Sequence, residues 1–348
     1  MLTCFGYFYF FCPAILNLLS ETSKPSKPPK PSKPFYKPSK PFYKPSKPFY
    51  STCKTITYMK NVLHLCLFLL LSNTLFAQLE LPQRSPKAGV SYRVGLTDVT
   101  VNYSSPAVGK RAIFGALVPF DKIWRSGANE CTNVIFGSDV MIGDVKVARG
   151  KYAFFLIPKS VGAWTAILNS DFEQWGAYQY KEEKDIVRIE VKVDGLVKPV
   201  ERLTYSVEDR GIEEGVIVME WERKRVSVPF KIETMKMALA NIDKALASAK
   251  QEDKWAIHAE AAEFLMNNNG DINVAATHAE ESVKLKSTVW NGWIKAQVLA
   301  KKGNFADAVA AAAQVTEASK TSKDEGDYYK ELEKDINAAV TVWKRKKG

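Results

Sequence analysis

The chain has 348 residues and a formal net charge of +11, but residues 1–77 contain ten Lys, no Arg and one Glu, so +9 of that charge lies there and +2 remains for residues 78–348. A nearly neutral stretch of this kind lacks the electrostatic footprint of a dedicated nucleic-acid binder. Of five cysteines and three histidines only Cys131, His258 and His278 fall within it, which excludes an internal disulfide there and leaves too few ligands for a zinc site built mainly of His and Cys.

The heptad KPSKPFY occurs three times without an error, at 30–36, 37–43 and 44–50. A basic, Pro-rich tract cannot bury enough apolar surface to offset the ordering of its backbone, so residues 1–58 are expected to be extended and disordered. MKNVLHLCLFLLLSNTLFAQ follows at 59–78. Lys60 provides a basic start, residues 62–71 an apolar run too short to span a bilayer, and Ala77 a small residue at the cleavage position, so 59–77 reads as a signal peptide cut after Ala77. The product is expected to be exported, periplasmic or secreted, without a stable membrane anchor. An export signal loses its purpose inside a chain, so 1–58 is expected to be an overextended gene model with the working start at Met59. The alternatives are a surface-binding arm and, at the apolar stretch 5–19, a second signal or anchor that no Lys or Arg precedes.

Residues 78–232 alternate short runs of Val, Ile, Thr and aromatics with Gly, Pro, Asp and Asn turns, the pattern of an antiparallel β-sandwich. VTVNY directs Val99, Val101 and Tyr103 to one face. IVRIEVKV does the same with Val187, Ile189, Val191 and Val193, and RVSVPFKI with Val226, Val228, Phe230 and Ile232. Pro229 favours an edge or a strand end. KYAFFLIP is apolar on both parities and is expected to be buried on two sides. MIGDVKV predicts a tight hairpin about Gly143-Asp144, and a second hairpin is expected to reverse around 222–224. Long 3.6-residue periodicity is missing, which disfavours a parallel α/β sheet.

The character changes at residue 233. ETMKMALANIDKALASAK sets Met235, Ala238, Ile242 and Leu246 near one stripe, with Thr234 available as N-cap. Further helices are predicted at 252–268, 272–286, 288–302, 304–320 and 324–345, with Asn269-Gly270 and Gly303 as terminators. Offsetting GDINVAATHAEES against GNFADAVAAAAQV by 33 residues aligns Gly270 with Gly303, Ile272 with Phe305 and Ala275 with Ala308. The region 233–348 is therefore read as a helical-hairpin array, similar to degenerate tetratricopeptide repeats or else plain hairpins, with a surface suited to protein contacts.

Several long motifs stand in order: GLTDVTVNYSSPAVGKRAIFG at 95–115, LVPFDKIWRSGANECT at 117–132, GKYAFFLIP at 150–158, WTAILN at 164–169 and WGAY at 175–178. Together they make residues 85–193 resemble the secreted Bacteroidota proteins grouped as domain of unknown function 2911 (DUF2911). The resemblance implies an exported β-sandwich module, often followed by repeat-like helices, and supplies no reaction.

WRSGANE places Arg125, Asn129 and Glu130 in a Gly-containing turn between strands, where scaffolded sites tend to lie. Arg125 can fork onto a carboxylate or phosphate, while Asn129 and Glu130 can hydrogen-bond sugar or amide groups. The competing reading is an internal Arg125–Glu130 ion pair, with Asn129 supporting the turn and Trp124 filling the core. Trp175 and Tyr178 of WGAY can stack on a sugar ring, or cover a core edge. Asp121 and Glu130 can be posed as a glycosidase-like carboxylate pair. Cys131 lacks a nearby His in sequence and reads as a small buried thiol. Phosphate-cradling loops, nucleophile elbows and His-Glu zinc motifs are missing from 78–348, so no cofactor or metal is expected. The favoured function is a non-enzymatic binding module for a small molecule, glycan or protein partner, with no nucleic acid. The alternative is a cell-envelope hydrolase acting on a glycan or peptide through Arg125, Asn129, Glu130 and Asp121, whose side chains would then converge in one cleft with a perturbed carboxylate.

Overall fold

The computed structural model describes residues 81–346; the Lys/Pro heptads and the segment 59–77 read as a signal peptide, with Ala77, lie outside the described residues. Residues from Glu80 to Gly348 belong to one compact unit. Ten strands come first, then six helices.

The strands are β1 (Lys87–Val94), β2 (Thr97–Ser104), β3 (Thr132–Phe136), β4 (Val140–Ile142), β5 (Val145–Val147), β6 (Gly150–Ile157), β7 (Trp164–Asn169), β8 (Asp185–Val191), β9 (Val193–Asp209) and β10 (Glu214–Lys231). They form a six-stranded sheet in the order β1-β2-β3-β6-β7-β8 and a four-stranded sheet in the order β5-β4-β10-β9, and every strand pair in both is antiparallel. Alternation sends Val99, Val101, Phe136, Phe154, Leu156 and Trp164 from one sheet into the same core as Ile142, Ile217, Trp221 and Phe230 from the other. Each large apolar side chain fully buried in this way contributes roughly 1.5–3 kcal/mol. The β-sandwich expected from the sequence is the observed architecture.

Residues Tyr152 to Leu156 of β6 are all buried. Tyr152, Phe154 and Leu156 face the inter-sheet core. Ala153 and Phe155 point to the outer face, where Cys131, Ile167, Phe172, Ala177 and Tyr180 close over them. The segment after β7 thus packs back onto the sheet, which brings it beside the candidate site.

The hairpin at Gly143-Asp144 is present: Ile142 pairs with Val145, and Gly143 takes φ 59°. The second hairpin is corrected by the structure, because β10 runs unbroken for 18 residues. Inward-facing positions switch from Ile217, Met219 and Trp221 to Val226, Val228 and Phe230, a change of parity that resembles a reversal in sequence. It is produced by register shifts between Glu220 and Lys224, with Glu222 at φ 53°, a bulge and not a turn. The run 187–193 is likewise divided, since Val191 ends β8 in one sheet and Val193 opens β9 in the other. Pro229 falls between the last pair with β9 (Val226–Val193) and the pair with β4 (Lys231–Met141), in keeping with its strand-end reading.

Helices α1 (Thr234–Ser248), α2 (Lys254–Asn267), α3 (Ile272–Leu285), α4 (Val289–Lys301), α5 (Phe305–Ala318) and α6 (Lys323–Lys346) follow. None of the described helices is long and apolar enough to cross a membrane. Thr234 does not cap α1: it is buried, and its Oγ1 donates to the Ile212 carbonyl at 2.5 Å, in the β9–β10 turn. Small side chains let the later helices approach closely, with Ala259 and Ala262 of α2 against Ala275, Ala276 and Ala279 of α3, and Ala296 of α4 against Ala308, Ala311 and Ala312 of α5. The α4 start is fixed by a reciprocal Thr288–Asn291 capping box. Asn269 at φ 56° and Gly303 at φ 91° end α2 and α4.

Candidate functional site

Trp124 enters the site locked to β6, exchanging backbone hydrogen bonds with Leu156 at 2.8 and 2.9 Å. The chain then closes a loop from Arg125 to Thr132, whose amide donates to the Arg125 carbonyl at 3.2 Å. Ser126 and Asn129 both adopt left-handed backbone, φ 54° and 57°, a conformation that costs free energy unless its surroundings enforce it. Here they do. The Ser126 carbonyl accepts from Tyr205 Oη at 2.8 Å and from Thr132 Oγ1 at 2.9 Å. The Asn129 amide donates to the Ser85 carbonyl at 3.2 Å and Ser104 Oγ at 3.3 Å.

A second segment docks on this loop. Cys131 N donates to Gln174 O at 3.0 Å and Gly176 N to Asn129 O at 3.1 Å, so WRSGANE and WGAY, far apart in sequence, are joined by backbone bonds. Gly176 has φ 71°, and a Cβ built there would lie 2.9 Å from the Tyr178 ring and 3.6 Å from an Arg125 guanidinium nitrogen. Only glycine lets the ring and the guanidinium share that surface. The core-edge role considered for WGAY is filled by Ala177 and by Tyr180 further along. Trp175 and Tyr178 remain 60% and 86% exposed.

Beside the loop is a cavity of about 700 Å³ whose lining includes Arg84, Arg111, Arg125, Arg202, Trp124 and Trp221. No Asp or Glu lines it. Among the described residues these four arginines make no salt bridge, whereas Arg188 and Arg225 elsewhere do. Arg111 donates through Nε to the Val108 carbonyl at 3.0 Å and through a terminal nitrogen to the Ala107 carbonyl. Arg202 donates to the Ser105 carbonyl at 3.2 Å. A guanidinium carries five N–H donors, so each keeps several for another acceptor while its stem is fixed. Glu201, adjacent to Arg202 in sequence, accepts through Oε1 from the Gly109 amide at 2.9 Å. Trp124 and Trp221 stack at 5.8 Å and 20°. Trp124 Nε1 donates to the Gly127 carbonyl, but Trp221 Nε1 and Arg125 Nε are buried without a partner among the described residues. Both residues line the cavity, but these two donor atoms themselves have almost no exposed surface.

The remaining expected side chains do not enter this cavity. Glu130 bonds Lys87 at 3.1 Å on a smaller depression, which corrects the proposed Arg125–Glu130 pair: the left-handed residues between them turn the two side chains to different neighbours. A hydrogen bond from its own backbone N–H, and then Lys87, hold the Glu130 carboxyl below the usual range. Asp121 is tied to Lys159 at 2.6 Å. The two carboxylates therefore have separate lysine partners and share no cleft. Burial pushes the Cys131 thiol up, and its Sγ lies 3.4 Å from the Phe172 carbonyl, a protonated, buried group that is a poor nucleophile. Asn129 and Trp124 do what the structural reading assigned them, supporting the turn and filling the core.

Sequence reasoning selected Arg125 but missed Arg84, Arg111, Arg202 and Trp221. Arg111 lies in the long GKRAIFG motif, which was a usable signal. Arg202 and Trp221 reach the cavity through the β9–β10 ribbon, and nothing local marks them.

Residues 85–230 match the family described as Protein of unknown function (DUF2911). The match extends through β10 and so includes both sheets. No curated protein and no solved structure matches the chain.

Proposed function

We propose that this is an exported, non-enzymatic binding module of a secreted Bacteroidota protein, whose β-sandwich holds a small anionic ligand in the arginine cavity and whose tetratricopeptide-like helices contact a protein partner. One observation carries the reading: four guanidinium groups, unpaired with any carboxylate among the described residues, surround a cavity that no Asp or Glu lines. Guanidinium forks match carboxylate, phosphate and sulfate oxygens, and a bound anion would neutralise charges that the protein leaves uncompensated. The volume suits a ligand of small-molecule size. Export rests on the 59–77 segment, and N-terminal sequencing of exported protein should begin at Gln78; finding residues 30–50 in that material would defeat the Met59 start and the cut after Ala77.

Binding is favoured over carboxylate-pair hydrolysis because Asp121 and Glu130 are each tied to a separate lysine and face no common cleft. The test is a thermal-shift series with phosphate, sulfate, galacturonate and neutral galactose. At a hundredfold excess over Kd a ligand adds about 2.7 kcal/mol of stability, so at least one anion should raise Tm measurably, with the rise lost in Arg125→Ala and Arg202→Ala. Equal responses to anions and galactose would refute the reading.

A further inference from the structure

Resting on the anion-cavity reading, we infer that the cavity and the exposed Trp175–Tyr178 loop form one continuous site for an acidic oligosaccharide, with a carboxylate or sulfate among the arginines and neighbouring sugar rings on the aromatics. The loop's structural work is done by other residues: Phe172, Ala177 and Tyr180 cover the outer face of β6. Trp175 and Tyr178 take no part in that cover and stay 60% and 86% exposed. Large exposed aromatics with a rigid mount are characteristic of recognition surfaces, because they supply contact area at small entropic cost. The mount is visible. Gly176 bonds Asn129 O at 3.1 Å, Trp175 bridges Glu130, and Tyr178 and Arg125 lie against the same glycine.

A free inorganic anion would engage the arginines and leave the aromatics idle. A purely aromatic ligand would leave the guanidinium charges unanswered. A chain of sugar rings bearing acidic groups meets both demands, since each ring has an apolar face for stacking and hydroxyl groups that can accept from the unused N–H donors. A nucleic acid strand calls for a basic track along the surface. The arginines here are gathered in one cavity, and residues 78–348 carry a net charge of only +2.

Isothermal titration of the full chain with galacturonic acid, tetragalacturonate, a chondroitin sulfate tetrasaccharide, neutral maltotetraose and uridine monophosphate tests this. One of the two acidic tetrasaccharides is expected to bind at least about tenfold more tightly than the monomer, about 1.4 kcal/mol. Trp175→Ala and Tyr178→Ala should each reduce that gain, and Trp175→Phe should restore part of it. Equal affinity for monomer and tetramers, or aromatic variants without effect, would overturn the continuous site while sparing the anion cavity. Maltotetraose or uridine monophosphate binding as tightly as the acidic tetrasaccharides would overturn the saccharide class. No binding of any acid in this titration, together with no rise in Tm with phosphate or sulfate, would remove the cavity reading as well.

Discussion

At the proposed site, Arg125 stands on a loop whose left-handed residues are tied down by their neighbours. Ser126 holds φ 54° while its carbonyl takes two hydroxyl donors, one from Tyr205 on the opposite sheet. The ring of Tyr205 is almost wholly buried, and burial pushes its phenol well up, so it acts as a neutral donor throughout the physiological range. Tyr205→Phe removes this tie and should cost about 1 kcal/mol of stability, the net worth of an ordinary buried hydrogen bond. A urea titration reads that cost, and anion affinity should fall with it because Arg125 follows Ser126. Unchanged stability and affinity would show that Thr132 alone fixes the loop. At this scale the sequence revealed Arg125, Asn129 and Trp124, whose types and spacing within a Gly-containing turn are informative by themselves. It paired Arg125 with Glu130 because nearness in sequence was the only nearness available, and the left-handed residues between them defeat that inference.

Elements with a strong repeating pattern were legible almost to the residue. The helix predicted at 272–286 is α3, Ile272–Leu285, and that at 288–302 is α4, Val289–Lys301, because caps and glycine stops act locally. The β10 bulge was not legible, since a one-residue parity slip and a tight reversal leave similar traces in a short window. The α2–α3 contact was also hidden: His258 and His278, twenty residues apart, meet at 2.8 Å between Nδ1 atoms. Burial depresses both imidazoles below their ordinary 6.5, aided at His278 by the charge of His258 and at His258 by Lys254, with Glu281 and Asp243 opposing. A depressed pKa means that protonation favours the unfolded chain, so this stability is complete above about pH 6.5 and is lost as pH falls below it. Urea midpoints compared at pH 7.5 and pH 5.5 should therefore drop in the native protein and drop less in the His258→Asn/His278→Asn variant. Equal drops would assign the pH dependence to other groups.

For the whole molecule, the division of charge was the most informative feature of composition. With +9 of the net +11 placed in residues 1–77, the arginines of the cavity stand out as a local concentration and not as part of a general basicity. The cavity itself required the fold: its arginines come from the segment before β1, the β2–β3 connection and β9, brought together only when the two sheets close. The most direct measurement is a two-dimensional NMR titration following the indole N–H of Trp221 and the Nε–H of Arg125 while tetragalacturonate is added. Both resonances should shift along one saturable curve with a common Kd, as the ligand seats against the two residues. Resonances that stay fixed while the acid binds would place the ligand elsewhere and contradict the assignment of this cavity.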